Sequence, residues 1–171
     1  KIRRIRFYGI ETVSKNHKFY NKYYANEFGI NSRMDEIQAS ILNYKLKYVD
    51  RDISRRRKIA QIYKKKLDKS FIIPKENDTN YHVYHLFTVF HSKSKKIIKE
   101  LNKLNIGTRK IYPFPINQMR AFKEYKFKTT DYKISNKLSK NIFSLPLYSE
   151  LTDKEIFYIC KKLNKIVKII A

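Results

Sequence analysis

In 171 residues the chain has only three Gly and four Pro: Gly9, Gly29, Gly107, Pro74, Pro113, Pro115 and Pro146. Between these points long stretches run without a residue that interrupts a helix, so helices are expected to dominate. A chain of this length can bury one good core, or a small domain with a projecting piece. At 42% apolar and 32% charged residues, the composition is that of a globular chain and not a disordered one.

Periodicity divides the chain. Ile2, Ile5 and Tyr8 recur at intervals of three among Lys1, Arg3, Arg4 and Arg6, which reads as the end of a basic helix stopped by Gly9. Residues 10 to 28 read as a polar, tyrosine-rich loop in which His17 is solvated. From Met34, the positions Ile37, Ile41, Tyr44 and Tyr48 keep helical spacing, and Leu42, Leu46 and Val49 widen the stripe, which implies more than one packing neighbour. Ile53, Ala60, Tyr63 and Leu67 define a second helix in near continuity. A turn-rich connector at 74–80 precedes Tyr81–His91, where both alternating faces are apolar and an inner strand is expected. His85 on that strand is either a satisfied core histidine or part of a site.

An amphipathic helix is expected over Ser94–Asn105, closed near Gly107, then a strand over Thr108–Tyr112 that leaves through the rigid Pro113-Phe114-Pro115. A short helix over Asn117–Phe122, another marked by Ile134, Leu138 and Ile142, and a strand at Phe143–Pro146 follow. Thr152-Asp153-Lys154-Glu155 is a capping box that opens a last helix with Ile156, Ile159, Cys160, Leu163, Ile166, Val167 and Ile170 on one stripe. The order implies an α+β unit from about residue 53, and a division into 1–52 and 53–171.

Thirty-nine Lys and Arg against 15 Asp and Glu give a formal charge of +24, which calls for an anionic partner or a large solvated basic surface. Fourteen Tyr and 11 Phe beside that charge would suit single-stranded nucleic acid. Yet 29 of the basic residues are Lys and ten are Arg, and lysine is the poorer bidentate reader of phosphate, so nucleic acid is the lesser reading. Arg55-Arg56-Arg57-Lys58 and Lys64-Lys65-Lys66 are read as the wet sides of helices. A single Cys160 excludes a disulfide framework or a zinc quartet and no metal site is expected. No apolar run is long enough for a membrane helix and no signal peptide opens the chain, so the reducing cytoplasm is the expected compartment. The first residues, Lys1-Ile2-Arg3-Arg4, lack an initiator Met and imply a piece of a longer protein.

Gly29-Ile30-Asn31-Ser32-Arg33-Met34-Asp35-Glu36 reads as a turn that becomes a helix. An amide, a hydroxyl and a guanidinium beside free backbone N–H groups make a reasonable phosphate seat; an ordinary capped helix is the plainer alternative. No lysine here stands in a context that singles it out.

This octapeptide, with Ile37-Gln38-Ala39-Ser40-Ile41-Leu42 after it, resembles a segment of the DegT/DnrJ/EryC1/StrS nucleotide-sugar aminotransferases. Arg6-Phe7-Tyr8-Gly9, Tyr84-His85-Leu86-Phe87, Tyr112-Pro113-Phe114-Pro115 and Ser144-Leu145-Pro146-Leu147-Tyr148 agree in the family's order. The resemblance implies the C-terminal part of a fold-type-I enzyme: a small antiparallel sheet flanked by helices, preceded by long helices from the end of the large domain. It implies pyridoxal 5'-phosphate as cofactor, a nucleotide-linked keto-deoxysugar as acceptor, glutamate as donor, and a homodimer whose site is completed across the interface. On the same ground, Asn31 and Arg33 are expected at the cofactor phosphate, and Tyr112, Gln118 and Tyr8 near the substrate. The Schiff-base lysine lies upstream of the matched segments, so no catalytic residue is assigned and the chain alone is expected to be inactive. Ile111 and Asn117 depart from the histidines that the family often carries around that tyrosine. Detail between Arg6 and Arg33 implies the 3- or 4-amino deoxyhexose branch. A basic polyanion-binding module and an inactive remnant are the alternatives.

Overall fold

The computed structural model describes residues 1–10 and 27–170. The chain divides into two compact units, Lys1–Tyr48 and Val49–Ala171.

In the first unit a one-turn helix, α1 (Ile2–Ile5), is followed by a reversal at Tyr8 and Gly9, both with positive φ (58° and 73°). The segment returning at Ile30–Ser32 pairs with it. Ile30 N–H donates to Ile5 C=O at 2.8 Å, Ser32 N–H to Arg6 C=O at 3.0 Å, and Tyr8 N–H to Ile30 C=O at 3.2 Å. Arg4 Nε donates to Glu27 Oε1 at 2.9 Å and ties the segments again. Gly29 serves close approach, since a Cβ there would stand 2.0 Å from the Gly9 nitrogen. The loop expected over residues 10–28 lies, apart from its ends, outside the described residues, and His17 with it.

Helix α2 (Glu36–Leu46) starts later than expected. Asp35 is its N-cap, in extended conformation, and its carboxylate accepts from Ile37 N–H at 2.8 Å. The wide stripe expected to find several neighbours is instead exposed: no residue of α2 is buried, and Ile37 stands 73% accessible.

The second unit is an α+β domain. Helix α3 (Val49–Lys66), strand β1 (Phe87–Phe90), helices α4 (Ser94–Lys103) and α5 (Lys133–Asn141), strand β2 (Ile142–Leu145) and helix α6 (Asp153–Ile170) follow in order. The two strands are antiparallel, with Phe87 opposite Leu145 and Val89 opposite Phe143. Residues two apart and directly paired share a face, so all four side chains meet the core. There they join Ile59, Ala60 and Tyr63 from α3, Ile97 and Leu101 from α4, and Ile156, Cys160 and Leu163 from α6. Helix α6 packs on both α3 and α4. Its capping box forms as expected: Thr152 N–H donates to Glu155 Oε2 at 2.8 Å, and Glu155 N–H donates to Thr152 Oγ1 at 3.3 Å.

The sheet is smaller than expected. The strand predicted over Tyr81–His91 begins only at Phe87, because Tyr84 adopts φ of 47° and no extended ladder passes through it. Of the strand predicted over Thr108–Tyr112, one bridge survives, between Arg109 and Ser144; another joins Ile72 to Phe90. The helix predicted over Asn117–Phe122 is a pair of 3-10 turns, Ile116–Gln118 and Arg120–Tyr125. Asn105, not Gly107, closes α4: it takes φ of 55°, and Ile106 N–H reaches back to Leu101 C=O at 3.0 Å.

The arginine run is not a wet face. Arg55 donates to Asp153 Oδ1 at 2.6 Å and to Leu151 C=O, clamping α3 to the start of α6. Arg57 donates to Glu76 Oε1 at 2.5 Å and to His82 C=O at 2.7 Å, with its guanidinium 4.0 Å from the Tyr81 ring. Tyr84 OH donates to Glu76 Oε2 at 3.1 Å and accepts from Lys64 Nζ at 2.7 Å. These bonds fasten the connector that the turn-rich sequence leaves without secondary structure.

Candidate functional site

In the first unit, pairing of Phe7 with Asn31 sets both side chains on one face of the two-segment clasp. Arg33, two residues on, lays its guanidinium over the Phe7 ring at 5.4 Å, and Tyr8 meets Phe7 edge-on at 5.8 Å. Asn31, Arg33 and Tyr8 are thus brought together around one phenylalanine, on an exposed surface. Among the described residues the Asn31 amide has no hydrogen-bond partner, and Arg33 has no ion pair. The guanidinium lies over an apolar ring and makes no ion pair among the described residues, which leaves N–H donors for a planar or phosphate anion.

One part of the expectation fails. Asn31 does not stand at the helix entrance; it lies four residues before the Asp35 cap, in a β-bridge. The Asp35 carboxylate already takes a first-turn N–H, and it repels a second anion there. Any anion seated near Asn31 is held by side chains and not by the α2 N-terminus.

In the second unit, Tyr112 and Phe114 leave the sheet on the Pro113–Pro115 exit with most of their surface exposed, 69% and 63%. They form one wall of a cavity of about 730 Å³ whose other wall is α5 and the turn before it, including Tyr132, Lys133 and Ser135. Ile134 and Leu138, expected on a buried helical stripe, line this cavity instead and stay exposed, while Ile142 belongs to β2. The walls are tied together. Gln118 Nε2 donates to Asn136 Oδ1 at 2.8 Å and Asn117 Nδ2 donates to the same oxygen at 3.4 Å. Gln118, expected near the substrate, thereby fixes the 3-10 turn to α5, and Asn117 takes the same partner.

Tyr132, Lys133 and Asn136 were not legible as site residues: nothing in their local pattern marks them until the Pro-flanked exit is folded against α5. His85 is exposed, so it is not a core histidine. Among the described residues the buried histidine is His91, packed on Phe71 at 5.1 Å and accepting the Lys93 N–H on Nδ1 at 3.0 Å. Burial, with Lys93 nearby, holds its pKa below the usual value, in keeping with a neutral ring. Cys160 is in the core, where burial pushes its thiol up to about 11, the opposite of nucleophile activation.

The fold is that of known aminotransferases. The solved structure of S. venezuelae DesV in complex with a ketimine intermediate superposes with a TM-score of 0.85 at 25% identity, covering 96% of this chain and 42% of that one. By sequence, a dTDP-3-amino-3,6-dideoxy-alpha-D-galactopyranose transaminase of Aneurinibacillus thermoaerophilus is 33% identical over 154 residues, 90% of this chain and 42% of its own length. A pleiotropic regulatory protein of Geobacillus stearothermophilus is 34% identical over 146 residues, 83% of this chain and 39% of its own length. The chain belongs to the DegT/DnrJ/EryC1/StrS aminotransferase family, which it matches over residues 1–164. It spans about two fifths of the length of these relatives. Among the described residues no helix is long and apolar enough to cross a membrane.

Proposed function

We propose that this chain is the C-terminal part of a pyridoxal 5'-phosphate-dependent aminotransferase. It would transfer an amino group from glutamate to a nucleotide-linked keto-deoxysugar, of the 3- or 4-amino deoxyhexose branch, in amino-sugar and polysaccharide biosynthesis in the cytoplasm. The observation that carries the reading is the pair formed by Asn31 and Arg33: an exposed amide with no hydrogen-bond partner and an exposed guanidinium with no ion pair among the described residues, the latter over the Phe7 ring. That donor set fits a phosphate monoester, with two N–H donors from the guanidinium fork and one from the amide.

When bound, the cofactor supplies the electron sink that lets the amino group change carriers. Asn31 and Arg33 hold its phosphate, reaching across the interface of a homodimer. Tyr8, Tyr112 and Gln118 serve the acceptor side, Gln118 by fixing the turn behind Tyr112. Residues 1–52 are read as the tail of the large cofactor-binding domain with its connecting helix, and 53–171 as the small domain. The Schiff-base lysine comes from protein that this chain does not contain, and the chain alone is inactive.

The test is to produce the chain joined to an upstream, lysine-bearing large domain and to follow two signals. One is the visible absorbance of covalently held cofactor; the other is transfer from glutamate to a dTDP-linked keto-deoxyhexose. Both are expected in the joined protein and neither in the 171-residue chain alone. Covalent cofactor on the chain alone would place a reactive lysine within it and sink the assignment.

A further inference from the structure

Three helix ends meet in the second unit: the start of α4, the end of α5 and the end of α6. Ser94 Oγ donates to Lys140 C=O at 3.4 Å, and Lys93 Nζ donates to Ile170 C=O at 2.6 Å. A recess of about 460 Å³ lies there, lined by Lys93, Lys95, Lys96 and Lys140 with Ser92 and Asn141. It shares Lys96 with a groove of about 400 Å³ whose remaining lining is Lys99, Glu100, Ile166, Ile169 and Ile170. Five lysines thus stand against one carboxylate, and Lys103 already engages Glu100 at 2.8 Å. Lys95, Lys96, Lys99 and Lys140 are exposed and make no ion pair among the described residues. Lys110 Nζ donates to the same Lys140 C=O at 2.8 Å; burial, and after it the charge of Lys95, holds its pKa below the ordinary lysine value. The cations are close enough to repel one another. Beside them Ile169 is 72% exposed.

We infer that this edge of α4 and α6 is a seat for the surface of an anionic lipid bilayer, with the lysines at the headgroup phosphates and Ile169 in the acyl boundary. Such a partner offers anionic charge and an apolar phase side by side, which is the pairing that these two recesses present. Lysine suits it, because a long aliphatic stem can rest on apolar surface while the ammonium stays at the phosphates. Each lysine near an anionic leaflet contributes about 1 kcal/mol, so a cluster of four or five is enough for reversible attachment. Nucleic acid fits less well. No aromatic side chain lines either recess to stack a base, no arginine lines one to fork onto a phosphate, and Ile169 would stay in water. The inference goes beyond the aminotransferase reading and does not depend on it.

The test is flotation of the 171-residue chain, and of the joined protein, with phosphatidylglycerol–phosphatidylcholine vesicles and with phosphatidylcholine vesicles, at an ionic strength of about 0.15 M to screen the distant basic surface. Both proteins are expected to float with the anionic vesicles and to stay behind with the neutral ones. Combined Lys95→Ala, Lys96→Ala and Lys99→Ala should weaken the attachment by roughly a hundredfold, at roughly fivefold for each lysine. A control that removes the same charge elsewhere, Lys65→Ala with Lys126→Ala and Lys154→Ala, should weaken it much less. Ile169→Gln, which leaves the charge unchanged, should cost roughly tenfold. Circular dichroism of each variant separates loss of a contact from loss of the fold. Equal flotation with neutral vesicles, equal losses in the two lysine triples, or an unchanged Ile169→Gln would each overturn the inference. So would a single-stranded oligonucleotide that binds more tightly than the vesicles and is lost with the α4 triple, which would make the edge a nucleic-acid surface. Cofactor loading of the joined protein decides the aminotransferase reading apart from any of these outcomes.

Discussion

Gly9 and Gly29 meet backbone to backbone. A Cβ on Gly29 would lie 2.0 Å from the Gly9 nitrogen and 2.4 Å from the Tyr8 carbonyl carbon, and one on Gly9 would lie 1.7 Å from the Glu27 carbonyl oxygen. The clasp that holds Asn31 beside Phe7 exists because neither residue has a side chain. These atoms are all backbone, so no rotamer change makes room. Gly29→Ala is therefore expected to open the clasp at a cost of about 3 kcal/mol, the upper end for overpacking. Hydrogen exchange at the Ile30 and Ser32 amides, which donate across it, reads the change directly. Gly107 is the control: a Cβ there meets nothing within 4 Å, and Gly107→Ala should leave stability within about 1 kcal/mol of its starting value. Retained protection in Gly29→Ala would mean that the segments pair in another way.

Glu76 gathers three donors: Arg57, the His82 N–H and Tyr84 OH. The Arg57 hydrogen bond is the first cause that lowers its pKa, followed by the His82 N–H, and the carboxyl falls from 4.5 to about 2. A carboxyl that binds its proton more weakly when folded stabilises the fold above its unfolded pKa and ceases to do so as pH falls through the folded value. The contribution is whole above about pH 4.5 and fades toward pH 2. Denaturation midpoints of the parent chain and Glu76→Gln should differ most near neutrality and converge across that window. A gap that stays constant with pH would show that Glu76 acts by packing alone.

Tyr63 sits fully buried between α6 and the sheet, and its hydroxyl donates to Pro146 C=O at 2.8 Å. Burial pushes its pKa up, so the donor keeps its proton throughout the ordinary range. Tyr63→Phe removes the donor from the carbonyl of the half-buried Pro146 and should cost about 1 kcal/mol. Tyr63→Ala also opens a void beside Phe87, whose ring is 5.1 Å away, and should cost about 3 to 5 kcal/mol. Urea unfolding distinguishes the two, and equal losses would remove the hydrogen bond from the account.

What could be read from the sequence was what neighbours in sequence decide. The stripe of α6 and its Thr152–Glu155 cap need only residues within a few turns of each other, and both formed as expected. The ends of Tyr81–His91 needed more: alternation holds through Tyr84, but the bonds of Tyr84 to Glu76 and Lys64 favour a left-handed turn there over a longer ladder. Arg55 read as solvated because its partner Asp153 is 98 residues away. At the candidate site, the residue types of Asn31 and Arg33 were visible and their setting was not. Asp35 competes with Ser32 and Asn31 for the cap, and local propensity ranks the three too closely to choose. Tyr112 and Phe114 stood out because prolines flank them, whereas Tyr132 and Lys133 gain meaning only from the wall across the cavity.

Asn31 gives the sharpest expectation for the joined protein of the proposed function. If its amide donates to a cofactor phosphate, Asn31→Ala removes a hydrogen bond to a charged acceptor, worth about 1.5 to 3 kcal/mol. Cofactor affinity should then fall by roughly ten- to hundredfold, since about 1.4 kcal/mol is a factor of ten. Arg33→Lys keeps the charge but loses the fork and the stacking on Phe7, so it too should bind more weakly. Whether the amide serves its own subunit or its neighbour is decided at a cofactor concentration too low to load Asn31→Ala, by mixing that variant with one that lacks the proposed upstream Schiff-base lysine. In a two-fold dimer with crossed sites, the mixed species carries one site with both residues intact, and activity returns on mixing. With uncrossed sites every site in the mixture is defective, and activity stays absent.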